Sequence, residues 1–296
     1  MSTPPADGPV SRFAPSPNGR LHLGHAFSAL VAYHLAADFG GRFILRIEDI
    51  DTSRARPEFE QAIYDDLAWL GLKWDTPVRR QSEHFSEYEA ALAALRQRGL
   101  VYPCFCTRKK IAKEVARAHA APHGPEGPLY PGTCRALTHK EAEARIAAGE
   151  SHCLRLNTGK AASDVAAPLT WHDFHAGEVT ARPEELGDVV LARKDIPTSY
   201  HLSVVLDDAL EGITVVARGE DLFHATHIHR LLQALLDLPT PAYHHHAIIR
   251  DEEGERMAKR IGSTSLADLR AAGWSRLDVL RTLHEALEVE LPGSSY

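Results

Sequence analysis

The chain has 296 residues, 44% of them hydrophobic and 25% charged, with 33 Lys and Arg against 40 Asp and Glu and a formal net charge of -7. That is enough for one large or two modest domains with a real core, and it excludes a disordered or low-complexity chain. The acidic balance weighs against indiscriminate nucleic-acid binding, because phosphates favour basic surfaces, but it leaves room for a local basic face.

No apolar run reaches the roughly 20 residues of a membrane-spanning helix. The 1–9 stretch lacks the apolar core of a signal peptide, so a cytoplasmic protein without a membrane partner is expected. The cysteines number 4, too few for a disulfide scaffold, which points to metal or free thiols.

Residues 10–14 are extended and apolar, 15–24 are turn-rich, and 26–39 carry helical apolar spacing up to Gly40 and Gly41. A second strand is predicted at 43–47. Strand, helix and strand with short connections make a βαβ unit, hence a parallel sheet with ligands at the carboxyl ends of its strands. The 15–25 loop lies at such an end. Phe59, Ile63, Leu67 and Leu70 share one helical face, and a further helix is predicted over 85–98, ended by Gly99.

From Cys104 to about Pro183 the texture changes. Residues 121–133 are rich in Pro, Gly and His, Thr138 with Glu141 reads as a capping box, and 152–156 is strand-like, so an inserted subdomain is expected. Parallel-sheet strands are predicted again at 187–192, 203–206 and 213–217, the last leading into a helix over 226–236. Beyond the 254–260 loop, two short helices are expected with Ser265 and Ser275 as N-caps.

Three groups of residues carry chemistry. His22-Leu23-Gly24-His25 falls in the first strand-to-helix loop, where imidazoles and free backbone N–H groups suit a polyphosphate; a plain Gly turn with two surface histidines would give the same pattern. Arg46, Glu48, Asp49 and Asp51, taken alone, read as a salt-bridged strand end. Cys104-x-Cys106 with Cys134 downstream suits tetrahedral zinc, with His123 the generic candidate for the fourth ligand. Cys153 reads as a buried apolar residue, and His244, His245 and His246 alternate faces of an extended segment and read as structural.

The histidine tetrad is preceded by Arg12-Phe13-Ala14-Pro15-Ser16-Pro17-Asn18-Gly19 and followed by Arg46-Ile47-Glu48-Asp49-Ile50-Asp51 and Arg256-Met257-Ala258-Lys259-Arg260. In this set, which spans about 10–260, the chain resembles the class I aminoacyl-tRNA synthetases, and within them the glutamyl-tRNA synthetase catalytic core. The resemblance implies an α/β fold: a Rossmann-like parallel sheet split by a zinc-containing inserted subdomain, with a short helical C-terminal part. The implied divisions are 9–103, 104–185, 186–250 and 251–296.

It also implies roles. His22, Gly24, His25 and Lys259 would bind ATP with its Mg²⁺, with His22, His25 and Lys259 catalytic. Lys259 matches the second lysine of a K-x-S-K loop; Arg256 stands for the first and Ala258 for the serine, which keeps both charges and removes a hydroxyl. Arg12, Phe13, Ala14, Pro15, Ser16, Glu48, Tyr200 and Arg218 would hold L-glutamate, Glu48 toward the ammonium and the arginines toward the carboxylates, in an order left open. Arg218 favours glutamate over the neutral amide of glutaminyl relatives. Tyr130 matches a tyrosine ligand in a short relative, making Cys104, Cys106, Tyr130 and Cys134 the implied set for one Zn²⁺, against the His123 alternative.

Longer members continue into helical domains that read the tRNA stem and anticodon, whereas here about 36 residues follow Arg260, so no anticodon-reading domain is expected. The expected partners are those of the family's short paralogs: glutamate, ATP and tRNA(Asp) carrying queuosine in its anticodon loop, with the chain a monomer. A discriminating or truncated enzyme acting on the 3′ end of tRNA(Glu) would use the same core residues. A catalytically silent RNA-binding module is the reading from another class, and intact His22, His25, Glu48, Arg218 and Lys259 weigh against it.

Overall fold

The computed structural model describes residues 8–117, 123–124, 127–165, 168–249 and 264–287. The fold opens with β1 (Val10–Phe13), α1 (Leu23–Ala37) and β2 (Arg42–Ile47), followed by α2 (Pro57–Trp69), β3 (Asp75–Arg80), α3 (Phe85–Gln97) and β4 (Val101–Cys104). Then come α4 (Arg108–Arg117), the two-residue strands β5 (His123–Gly124) and β6 (Gly127–Pro128), α5 (His139–Ala147), β7 (Cys153–Leu156) and α6 (Thr158–Ser163). The chain continues through β8 (Thr170–Asp173), β9 (Gly177–Thr180), β10 (Val190–Ala192), α7 (Tyr200–Leu210), β11 (Val215–Gly219), α8 (Ala225–Leu235) and β12 (Ala242–His246). It ends in α9 (Leu266–Ala271) and α10 (Arg276–Leu287).

The first βαβ unit forms as its pattern predicts: β1 and β2 pair in parallel, Val10 opposite Arg42 and Phe13 opposite Leu45. Helix α1 covers them with Ala26, Phe27, Leu30 and Val31, and a Cβ on Gly41 would stand 1.9 Å from the Pro9 carbonyl oxygen, so only glycine lets β2 start there.

The main sheet has 7 strands in the order β3-β2-β1-β11-β12-β8-β9, parallel throughout except for the β8–β9 hairpin. Strand order reverses between β1 and β11, which pair directly, and an open α/β sheet places its ligand crevice at such a switch point. A second, antiparallel sheet of 3 strands, β10-β7-β4, sets Cys104 opposite Cys153. One core fills the space between α1, α2 and the sheet, with Leu30, Leu45, Ile47, Ile63 and Leu67, and it takes in Leu266 and Leu283 from α9 and α10. Another joins α3, α7 and α8 through Tyr88, Leu95, Leu202, Ile228 and Leu232. Among the described residues no helix is long and apolar enough to cross a membrane.

Two sequence expectations are corrected. Residues 203–206 are not a strand but the middle of α7, where Ser203, Val204 and Val205 are all buried between α3, α8 and β10. A short continuous apolar run is compatible with a buried strand and with a helix buried on several sides, and packing decides between them. The 187–192 strand forms only as β10, and it joins the small antiparallel sheet rather than the parallel one. Within 104–185, β7 belongs to that small sheet while β8 and β9 extend the edge of the main sheet.

Candidate active site

At the switch point an open cleft of about 400 Å³ is lined by Arg12, Phe13, Ala14, Pro15, Ser16, Glu48, Tyr200 and Arg218, with His25 at its wall. All the residues expected to hold the amino acid therefore meet in one place. Asn18 and Gly19 from the same motif also line it, together with Arg20, Ser28 and Leu222, which no sequence pattern marks. His22 and Gly24 are not part of the wall.

The α1 N-terminus is capped by its own histidines. His22 is the N-cap, its Nδ1 accepting from the Gly24 N–H at 3.1 Å, while His25 Nδ1 accepts from the His22 N–H at 3.2 Å. A Cβ on Gly24 would sit 3.1 Å from the His22 ring, so glycine permits this close return. Burial lowers the pKa of His22, and burial with the neighbouring His22 brings His25 down to about 4. Both rings are thus neutral near pH 7. With each Nδ1 accepting, each proton sits on Nε2, which leaves two imidazole N–H donors rather than two cations at the helix start.

Carboxylates and guanidiniums behind the cleft fall into two sets. Arg46 is fully buried and answers several carboxylates: Asp208 at 2.8 Å, Glu211 at 2.7 Å and Glu48 at 3.3 Å. Arg12 Nε meets Asp208 at 2.9 Å and Arg12 Nη1 donates to the Ala217 carbonyl at 3.2 Å, tying β1 to β11 across the switch point. Burial opposes ionisation of Asp208, yet Arg12 and Arg46 together hold its pKa below the usual range. Burial raises that of Glu48, with Arg46 and Arg12 pulling the other way.

Arg218 differs. It is 6% exposed, and its partners are His245 through Nε at 3.1 Å, Tyr200 and His229 through Nη1 at 3.2 and 3.1 Å, and Thr226 through Nη2 at 2.5 Å. None is an anion, and no carboxylate of the described residues lies within ion-pair distance of it. His245 Nδ1 is in turn 2.7 Å from Asp173 Oδ2. Thr226, His229 and His245, with Asp173 behind His245, make up surroundings of Arg218 that the sequence pattern does not reveal. The alternation of His244, His245 and His246 was read correctly as opposite faces, but not that His245 lies directly opposite Arg218 in the β11–β12 register.

A family model described as tRNA synthetases class I (E and Q), catalytic domain, matches residues 10–286. The chain belongs to this family. It is 50% identical over 282 residues to the Glutamyl-Q tRNA(Asp) synthetase of Rhodobacter capsulatus, covering 93% of this chain and 99% of that protein. It is 43% identical over 283 residues to the protein of the same name from Nocardia farcinica, covering 96% of this chain and 86% of that one. Among solved structures it is similar to a glutamate tRNA ligase from Elizabethkingia meningosepticum in complex with its amino acid, with a TM-score of 0.71 and 27% identity. That match covers 90% of this chain and 53% of the ligase, so the chain spans about half the length of that relative.

In this synthetase the three cysteines of the sequence pattern converge. The sulfurs of Cys104, Cys106 and Cys134 lie within 4.8 Å of one another, all buried, and Cys106 Sγ is 3.6 Å from Cys134 Sγ. Tetrahedral zinc with Zn–S of about 2.3 Å needs sulfurs about 3.8 Å apart, so the spacing fits. Tyr130 Oη stands 3.3 Å from Cys104 Sγ and 3.7 Å from Cys106 Sγ, and it accepts the Cys134 N–H at 2.9 Å, which suits a fourth oxygen ligand. Cys153 is buried beside Cys104 across the β4–β7 pair. The side chain of His123, and Lys259 with Arg256 and Ala258, lie outside the described residues.

Proposed function

We propose that this chain activates L-glutamate with ATP and transfers the glutamyl group to queuosine in the anticodon loop of tRNA(Asp), as a cytoplasmic monomer. The observation that carries the glutamate reading is Arg218: a buried guanidinium whose partners are all neutral, opening on a cleft at the end of β11. Leaving a buried charge without a counter-charge is costly, so such a group suits a carboxylate supplied by a ligand. Arg12 is already engaged with Asp208 and takes the lesser share. Glu48, on the same wall, is the acidic partner for the substrate ammonium, and the Tyr200 hydroxyl fixes Arg218 from the other side.

In the first step a glutamate α-carboxylate oxygen attacks the α-phosphorus of ATP, and the bond to the leaving pyrophosphate oxygen breaks. The His22 and His25 Nε2–H donors and Lys259, with the Mg²⁺ that accompanies ATP, answer the charge on the phosphate oxygens; positioning and electrostatics supply most of the catalysis. In the second step a ring hydroxyl of queuosine attacks the acyl carbonyl, its proton is lost, and AMP leaves. The names of the relatives, 43–50% identical and matched over 86–99% of their length, support queuosine of tRNA(Asp) as the acceptor.

The Cys104, Cys106, Tyr130 and Cys134 cluster is read as the seat of one structural Zn²⁺, which would tie the segment after β4 to the 130–134 turn. Burial pushes the Cys106 thiol up to about 11, so a thiolate there requires a cation beside it. The divisions 9–103 and 186–250 are taken as two halves of the catalytic unit, with 104–185 as the insert, even though β8 and β9 of that stretch join the main sheet and β10 of the second half pairs with β7, and 251–296 as the phosphate loop with its helical support.

The test is glutamate-dependent ATP–pyrophosphate exchange, followed by transfer of radiolabelled glutamate to queuosine-containing and queuosine-free tRNA(Asp), with tRNA(Glu) alongside. Label on modified tRNA(Asp) alone is expected. Label on tRNA(Glu) would make the chain a glutamate–tRNA ligase, and absence of exchange in a folded protein would overturn glutamate activation.

A further inference from the structure

We propose a second metal site, unrelated to the cysteine cluster, in which Glu185, His224 and His227 hold a divalent transition-metal ion of the Zn²⁺ class. A carboxylate oxygen and a ring nitrogen from each histidine all lie within 4.8 Å of one another. The positions follow from the fold. His224 is the N-cap of α8 and His227 lies three residues on, so the two rings rise from one face of the helix start. Glu185 comes from a single 3₁₀ turn, Pro183–Leu186, that packs against the same helix.

The second observation is an unmet polar group. His227 is 5% exposed, and Nδ1 of both histidines is buried without a hydrogen-bond partner among the described residues. Buried polar atoms normally find partners, and a metal ion is one way to supply them. Trp171 and Phe223 flank the His227 ring, with centroids at 6.0 and 6.1 Å, which gives the site a hydrophobic wall. Burial also lowers the His227 pKa, so its ring is neutral with a lone pair available near pH 7.

The surrounding charges are mixed. Arg182 Nη1 donates to Glu185 Oε1 at 3.3 Å from a mostly exposed side chain, and the positive end of α8 opposes a cation, while Glu184 and Glu185 favour one. Imidazole donors select the Zn²⁺, Co²⁺ and Ni²⁺ group over Mg²⁺ or Ca²⁺. Three protein ligands leave a position open for water. The consequence for the molecule is local rigidity: Thr226 lies between the two histidines and binds Arg218, so an ion here would fix the helical turn that holds that guanidinium.

The full-length chain, stripped of metal by chelation, is titrated with Co²⁺ and followed by absorption. Cysteine-bound cobalt shows sulfur-to-metal charge transfer; histidine and carboxylate ligation shows only ligand-field bands. We expect one equivalent without charge transfer, its affinity reduced at least tenfold by Glu185→Gln and by His224→Ala, and unchanged by substitution of the exposed His139 by Ala. Glu185→Gln preserves shape, so it keeps the test decisive if His224→Ala misfolds. Cobalt that is bound only with thiolate character would overturn the site, as would folded Glu185→Gln protein that binds the ion as tightly as the parent.

Discussion

Arg218 Nε donates to His245 Nε2 at 3.1 Å, and His245 Nδ1 faces Asp173 Oδ2 at 2.7 Å. An imidazole that accepts at Nε2 must carry its proton at Nδ1, where the carboxylate receives it. Burial first, and Arg218 second, bring the His245 pKa down to about 4 in spite of Asp173, so the ring stays neutral and holds the guanidinium without competing with its charge. Strand β8, next to the edge strand β9, thereby orients the residue proposed to bind the substrate carboxylate.

His245→Ala therefore removes a hydrogen bond to a buried charged group, an interaction of about 1.5–3 kcal/mol. The KM for glutamate in the exchange reaction should rise about 10–150-fold, with the KM for ATP nearly unchanged. Asp173→Asn keeps one accepting oxygen for Nδ1–H but turns the other, which accepts from the His175 and Ala176 N–H groups, into a donor, so it should also raise the KM for glutamate, though less than His245→Ala. Equal effects on both substrates would mean that His245 acts on the fold as a whole rather than on Arg218.

The state of the α1 histidines gives a pH profile. With His25 held at about 4, that ring should not titrate between pH 6 and 8, so the ATP dependence of exchange should be flat there as far as it is concerned. Below about pH 5 protonation of Nδ1 breaks the His22 N–H to His25 bond, and exchange should fall. His25→Ala loses one donor to the reacting phosphate and should slow exchange about 10²–10³-fold, the range seen when one such donor is removed. An inflection near pH 6.5 in the wild-type profile, absent from His25→Ala, would contradict the neutral assignment.

The cysteine cluster and the cleft share no lining residue, so their losses should separate. Cys134→Ser should bring zinc content down by one equivalent and lower the Tm by about 5 °C, the shift expected for about 2 kcal/mol in a chain of this size. Glutamate-dependent exchange at 25 °C should stay within about threefold of wild type, because the cluster touches none of the residues in the cleft. Undiminished zinc in Cys134→Ser would remove that residue from the ligand set.

How much of this was legible beforehand varies with the kind of signal. The first βαβ unit was readable because β1, the Gly-containing loop and α1 agree in pattern and punctuation, and the cleft residues came from the family resemblance, which matched them position by position. Helix α7 was misread because burial on several faces erases the period that distinguishes it from a strand. The partners of Arg218 were invisible for another reason: Asp173, Thr226 and His245 come from β8, α8 and β12, and only sheet register brings them together. The Arg46 and Asp208 pair likewise joins residues 162 apart, a closeness no local pattern encodes.

Asp66 offers a stability test with a definite sign. It is fully buried in the last turn of α2, where the helix dipole disfavours an anion, and neither carboxylate oxygen has a hydrogen-bond partner among the described residues. Arg270 Nη2 approaches only to 3.5 Å. Burial, partly offset by Arg270, raises the pKa from the ordinary 3.8 to about 6. A folded-state pKa above the unfolded one means that the folded protein holds the proton more tightly. The associated stability is complete below about pH 4 and is lost as pH rises through 6, so at pH 8 the ionised carboxylate costs about 3 kcal/mol at most, and about 2 kcal/mol once screening by solvent is allowed for. Asp66→Asn should accordingly raise the Tm by about 5 °C at pH 8 and change it little at pH 4. Thermal unfolding of both proteins at the two pH values decides it: a destabilised variant at pH 8, or a shift of equal size at both, would show that Asp66 is ionised at no cost in the fold and that Arg270 satisfies it fully.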